Sequence, residues 1–298
     1  MLYMAKDRKL IYLPIYVICT IIYFSYLIYD YNNQLAENIK DFGIEKGRLA
    51  SEIEFDAIIL GGSNVAFSLS AVQLTSNTSY SWFNFGISSE GFSDNNYWNY
   101  LENTIDRSKR EKIKLVFYSS STPLKRGLYV SRENNSTNVW GEKKFSMFPK
   151  ISLLYRLNML LKNTSEEYVL PTERGDFDFR NFDCSQSFEY RFGREEKELV
   201  FNWLNIQYND IRNLFPNAKI IFSLPSEYYG EKIDIKKIEN YDKYFSQQVS
   251  SISNEQALYF SQVIFVNKQI MCNSMMHSNS EGRTWKTNEL INQLNNFL

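Results

Sequence analysis

The feature that most constrains this chain is Leu10 to Tyr29, LIYLPIYVICTIIYFSYLIY, a run without a single charged side chain. As a helix it is long enough to cross about 30 Å of hydrocarbon. A buried core helix is the alternative, but it explains neither the missing polar face nor the asymmetry of the flanks. Pro14 stands near the start, where a missing N–H costs least, and tyrosines fall near the ends, where an amphipathic ring suits the interface. Lys6, Arg8 and Lys9 precede the run, whereas the near downstream flank is acidic or neutral. The positive-inside rule then keeps the N-terminus in the cytoplasm and sends everything after residue 30 outside it. A signal peptide would show a shorter apolar region and a small-x-small cleavage site, but Tyr29-Asp30-Tyr31-Asn32-Asn33 follows instead. The expected organisation is a cytoplasmic N-terminus over 1–9, a single-pass span of the cytoplasmic (inner) membrane over 10–29, a stalk or linker over 30–52, and a periplasmic or extracellular domain over 53–298.

The rest of the 298-residue chain is ample for a sizeable core. It alternates short apolar runs with amphipathic stretches, the pattern of an α/β fold with a mainly parallel sheet covered by helices. Strands are predicted over 56–60, 81–85, 114–118, 219–224 and 262–266, and helices over 93–108, 150–161, 195–214, 241–258 and about 282–297. The stretch 124–194 is long for a crossover and reads as an insertion that could cover a site. Lys and Arg number 33 against 34 for Asp and Glu, so nothing in the charge balance points to a basic footprint for nucleic acid. With three cysteines and one histidine the chain has neither a Cys-x-x-Cys pair nor a second histidine, which argues against a zinc site, and neither a metal nor a diffusible cofactor is implied.

The chemical signal begins where the first predicted strand ends, in Asp56-Ala-Ile-Ile-Leu-Gly-Gly-Ser63-Asn64-Val-Ala-Phe-Ser-Leu-Ser70. Two glycines permit a sharp strand-to-helix turn, which puts Ser63 at a helix N-terminus, where free N–H groups stabilise negative charge. That placement suits a nucleophile, although a serine that merely caps the helix would read the same way. Val65 occupies the place of the second glycine of the Gly-x-Ser-x-Gly elbow, so this is not that motif. If Ser63 has an imidazole base, it must be His277, the only histidine, which sits in a polar loop just before the last predicted helix. A solvated surface histidine is the alternative reading. Cys184 and Cys272 both fall outside the membrane, where a disulfide is permitted, and two buried thiols would look the same in sequence. Tyr97-Trp98 and Tyr228-Tyr229 could stack on sugar rings but read more simply as packing.

Taken together these segments resemble the SGNH (GDSL-like) hydrolase superfamily. That family has a flavodoxin-like sheet with a nucleophilic serine after the first strand, a glycine after the second, an asparagine after the third and an Asp-x-x-His element after the last. Ser63 matches the first block, Gly86 in Phe83-Asn-Phe-Gly86-Ile-Ser the second, and His277-Ser-Asn-Ser-Glu-Gly-Arg the last. The anchored Gly-Gly-Ser-Asn-Val-Ala-Phe-Ser form looks most like the membrane-anchored branch found with bacterial surface-polysaccharide genes. Two blocks depart from the pattern. Ser274, beside Asn273, stands where the acid belongs, which leaves one of these two, a distant acid or a bare Ser-His dyad to account for His277, and Tyr118-Ser-Ser-Ser-Thr-Pro123 offers no asparagine. Loss of the carboxylate costs roughly 10⁴ in rate in a serine protease.

The resemblance implies a membrane-anchored serine acyl-transfer enzyme, an O-acetyltransferase or esterase acting on a cell-surface polysaccharide. Ser63 would be its nucleophile and His277 its base. The oxyanion hole would draw on the N–H groups of Ser63 and Gly86, supplemented by Asn64 or a hydroxyl from Ser119 to Ser121. Its expected partners are the glycan, the acyl donor and a membrane protein that delivers that donor. The two departures support the alternative, a non-catalytic SGNH-like binding or assembly protein of an envelope polysaccharide complex.

Overall fold

The computed structural model describes residues 20–21, 23–25, 42–87, 94–120, 171–179, 184, 197–226, 235–252, 257–261, 267–272 and 277–297. The chain divides into two compact units. One comprises Met1–Asp41 and Lys143–Glu166, of which only residues 20–21 and 23–25 are described. They are helical, and Ile21, Tyr23 and Phe24 are exposed. Among the described residues no helix is long and apolar enough to cross a membrane, and most of the predicted span lies outside them. The predicted helix over 150–161 also lies outside them.

The other unit comprises Phe42–Glu142 and Glu167–Leu298. Its strands are β1 (Ala57–Gly61), β2 (Trp82–Asn84), β3 (Leu115–Ser119), β4 (Lys219–Ser223) and β5 (Ala257–Phe260). They form one sheet in the order β2-β1-β3-β4-β5, with every pairing parallel. This is the flavodoxin-like order, in which sites form beyond the carboxyl ends of the strands where the order reverses. Here the reversal lies at β1, which pairs with β2 on one side and β3 on the other. Both β1 and β3 are buried at every position, as their unbroken apolar runs require of strands covered on two faces.

The helices are α1 (described over 42–52), α2 (Ser63–Ser68), α3 (Ala71–Asn77), α4 (Asp94–Thr104), α5 (Arg107–Arg110), α6 (Lys197–Leu214), α7 (Ile235–Ile252) and α8 (Ser280–Phe297). Leu290 and Leu294 of α8 join Ile59, Val65, Leu74 and Phe117 in one buried cluster, so the C-terminal helix seals the sheet beside β1.

The structure differs from the sequence-based expectation in two places. The helix predicted over 241–258 stops at Ile252, and the last strand is Ala257–Phe260, upstream of the predicted 262–266, which lies outside the described residues. Ala-Leu-Tyr-Phe is a short apolar run that periodicity cannot assign, and its pairing with β4 from Ile220↔Ala257 to Ser223↔Phe260 decides the matter. The segment read as a stalk up to residue 52 belongs to the domain from Phe42 onward, because α1 buries Lys46 and Ala50.

Candidate active site

Ser63 owes its position to its own stretch of chain. Gly61, the last residue of β1, has φ +139°, and a Cβ there would lie 2.0 Å from the carbonyl oxygen of Ser119. Only glycine fits, and the chain can therefore turn sharply against the end of β3. The Gly61 N–H donates to Tyr97 Oη (3.1 Å), that hydroxyl donates to the Phe85 carbonyl (3.1 Å), and the Gly61 carbonyl accepts from the Ile87 N–H (3.1 Å). Burial raises the Tyr97 phenol far above its ordinary range, so the brace stays protonated. Tyr97 and Trp98 are both buried, which makes them packing residues here. Gly62 is the N-cap and Ser63 the first residue of α2, so Ser63 is not the cap, and no side chain caps this helix.

The Ser63 hydroxyl lies 2.8 Å from His277 Nε2. His277, by contrast, is held by residues from far along the chain. The Cys272 N–H donates to the His277 carbonyl (2.6 Å), and Met271 bridges Ser278 in antiparallel fashion. Cys272 is itself tied to Cys184 by a disulfide. The imidazole stacks on Phe67 of α2, with centroids 4.2 Å apart and planes 8° apart. Just beyond, Asn279 caps α8 by accepting from the Gly282 N–H (3.0 Å). Arg283 donates to the Phe177 carbonyl (2.5 Å) and lies over the Phe179 ring. Burial lowers the Arg283 guanidinium, and the charges of Asp176 and Asp178 oppose that shift.

Of the expected oxyanion donors, Gly86 follows β2, and its N–H donates to Asn84 Oδ1 (2.8 Å). Gly86 is glycine for a steric reason, since a Cβ would approach Val65 Cγ2 to 2.6 Å and the Ala66 nitrogen to 2.7 Å. The Asn64 side chain is buried and donates to Ser119 Oγ (3.2 Å), stitching α2 to the end of β3. Ser119 is thereby a structural partner of Asn64, and Ser121, Asn273 and Ser274 lie outside the described residues. Among the described residues, the first N–H groups of α2 are the backbone donors at the turn.

Beneath the turn lies a buried polar network that sequence reasoning missed. Lys46 of α1, fully buried, donates to the carbonyls of Asn84 (2.9 Å) and Gly86 (2.6 Å). Burial lowers its ammonium to about 7, with the charge of Asp176 opposing. Asp176, in the described part of the predicted insertion, accepts from the Ala71 N–H (2.7 Å), the Val72 N–H (3.2 Å) and the Ser70 hydroxyl (2.8 Å), serving the N-terminus of α3. Asn84 joins the two groups, since its carbonyl accepts from Lys46 and its side-chain amide donates to Asp176 Oδ1 (3.4 Å) as well as to the Leu69 carbonyl (3.1 Å). Gly43, Lys46 and Ala50 are buried at helical spacing, so this lysine is on the inward face of α1, which shows only once the helix is packed. Phe67 had a signal in the sequence, four residues after Ser63 and hence on the same face of α2.

Among the described residues no cluster of three or more His, Cys, Asp or Glu is placed to hold a metal ion. The sheet order, the serine after β1 and the histidine before the last helix form the arrangement that the resemblance to SGNH hydrolases implies.

Three solved structures give the comparison with known folds. A Streptococcus pneumonia protein described as a platelet activating factor aligns with a TM-score of 0.49 and 12% identity, over 90% of this chain and 97% of that one. The periplasmic domain of a lipopolysaccharide acetyltransferase from Salmonella ser. Paratyphi A gives 0.42 and 12%, over 80% and 83%. A family two carbohydrate esterase from Clostridium thermocellum gives 0.35 and 9%, over 82% and 65%. No protein-family model and no curated protein sequence matches the chain.

Proposed function

We propose that this chain is a serine acyl-transfer enzyme, an O-acetyltransferase or esterase, that acts on a cell-surface polysaccharide and is held to the membrane by its N-terminal segment. The observation that carries this reading is the 2.8 Å contact between Ser63 Oγ and His277 Nε2, made at the carboxyl edge of a parallel sheet. Nucleophile and base within hydrogen-bond reach are the working unit of covalent acyl transfer.

In the proposed cycle His277 Nε2 takes the Ser63 proton as Oγ bonds to the acyl carbon, and the carbonyl π pair moves onto its oxygen. The first N–H groups of α2 receive that negative charge. Collapse expels the donor's alkoxide, which leaves with the proton from His277, and Ser63 is acylated. A sugar hydroxyl or water then loses its proton to His277 and attacks the ester, and collapse expels Ser63 Oγ, which takes that proton back from His277. The resemblance to the polysaccharide-associated branch favours a sugar hydroxyl. The Cys184–Cys272 disulfide supports a domain outside the cytoplasm, where such bonds persist.

Two observations favour the non-catalytic alternative: the Gly86 N–H is occupied, and no Asp or Glu lies between Cys272 and His277. One experiment separates the readings, treatment of the full-length membrane-embedded protein with a fluorophosphonate probe. Labelling that disappears in Ser63→Ala supports acyl transfer. A folded wild-type protein that never takes the label supports the binding role.

A further inference from the structure

We propose that Phe67 is a positioning residue for His277, fixing the plane of the imidazole and stabilising its protonated form through the face of the aromatic ring. The inference rests on the acyl-transfer reading and deepens it, because it says how this site supports an imidazolium although its histidine loop contains no carboxylate.

The geometry is that of a fixed stack. Phe67 lies one turn beyond Ser63 on α2, so the side chain that touches the imidazole and the hydroxyl that bonds to it stand on one rigid element. His277 is stacked 4.2 Å from the Phe67 centroid at 8°, and Phe177 is stacked 4.0 Å from it at 26°. Two near-parallel rings at those distances cannot share one face, so Phe67 is sandwiched between them. Phe179 meets the edge of Phe67 at 71°, and Arg283 pins the backbone of Phe177. Phe67 is 8% exposed and cannot swing away without opening this cluster.

A cation on the face of an aromatic ring is attracted by the ring quadrupole, the more so where water is excluded. When His277 takes the Ser63 proton it becomes such a cation, and the attraction exists only in that protonated state. Interactions of this kind accelerate a reaction, since they strengthen as the transition state forms.

Among the described residues, α2 carries no ionisable side chain apart from Ser63, the segment over 171–179 carries Glu173, Arg174, Asp176 and Asp178, and α8 contributes Glu281, Arg283 and Lys286. All of them persist in a Phe67 variant, so their effects cancel in a comparison with wild type.

Because His277 is the only histidine, its titration can be read from a single imidazole signal in full-length protein, ¹³C-labelled at histidine and held in detergent micelles. Phe67→Leu should lower the proton affinity of that ring about two- to fivefold, moving the midpoint to lower pH, whereas Phe67→Tyr should keep it near wild type. The acid limb of hydrolysis of a small acetyl ester should move by the same amount in Phe67→Leu, with kcat reduced. Phe177→Leu removes packing of equal size from the far side of the stack and should leave the midpoint in place. An unchanged midpoint in a folded Phe67→Leu protein, or an equal shift in Phe177→Leu, would overturn the proposal. The titration needs no turnover, so an inert wild-type protein whose midpoint still responds to Phe67 would refute the acyl-transfer reading while leaving the ring's effect on the imidazole established.

Discussion

The two sides of the candidate site are built in opposite ways. Ser63 is positioned by its immediate neighbours in sequence: a strand, a left-handed glycine and the first turn of a helix, braced by Tyr97. His277 is positioned by partners 210 and 93 residues away, Phe67 through the ring stack and Cys184 through its disulfide to Cys272. A locally determined side resists changes elsewhere in the molecule and fails only when its own turn is altered. A side determined at long range can be loosened from several places, and each of them is a handle on activity.

The largest effect should come from the reacting pair. Ser63→Ala and His277→Ala should each cut acyl transfer by roughly 10³-fold or more, and the double variant should be scarcely worse than either, because members of one catalytic unit do not add. Strict additivity measured on a small acetyl ester would mean that the two residues do not act together. Next, Gly61→Ala tests the local side. A Cβ 2.0 Å from the Ser119 carbonyl, on backbone of positive φ, should cost roughly 3 kcal/mol or more in denaturant melts. A melt like wild type would show that the turn tolerates other shapes.

The Cys184→Ala, Cys272→Ala pair tests the long-range side. It should cost about 2–4 kcal/mol and lower turnover, while fluorophosphonate labelling of Ser63 slows but survives. Unchanged turnover would show that the Phe67 stack alone fixes His277. The smallest effect concerns Lys46. Its ammonium is lowered to about 7 in the folded protein against an ordinary value of 10.5, so between those values the unfolded chain binds the extra proton. Stability from this group therefore rises with pH from about 7 towards 10, by at most about 1.4 kcal/mol per pH unit, and its penalty is fully present below 7. Lys46→Met should flatten that slope relative to wild type, and identical slopes would show that the two carbonyl acceptors keep the ammonium charged.

What the sequence revealed follows the same division. The β1 run, the glycine turn and Ser63 were legible because short-range sterics determine them, and His277 was legible only because no other histidine competes. Its partners were not. Nothing local marks Asp176 as the anion of an α3 terminus a hundred residues upstream, and Lys46 has the default reading of any lysine, a solvated head, until the helix it belongs to is seen packed on the domain. The helix predicted through residue 258 ran into a strand, because Ala257–Phe260 is too short to show a period and only its partner β4 defines it.

The separation of 214 residues between Ser63 and His277 also has a consequence in time. The chain is made from its N-terminus, so on the proposed reading the nucleophile and its turn exist long before the base has been synthesised. The disulfide that steadies the base must wait for Cys272, and α8, which seals the sheet, comes last of all. On that reading a nascent chain carries an inert serine until Cys272 and His277 have been made and joined to the earlier parts of the domain.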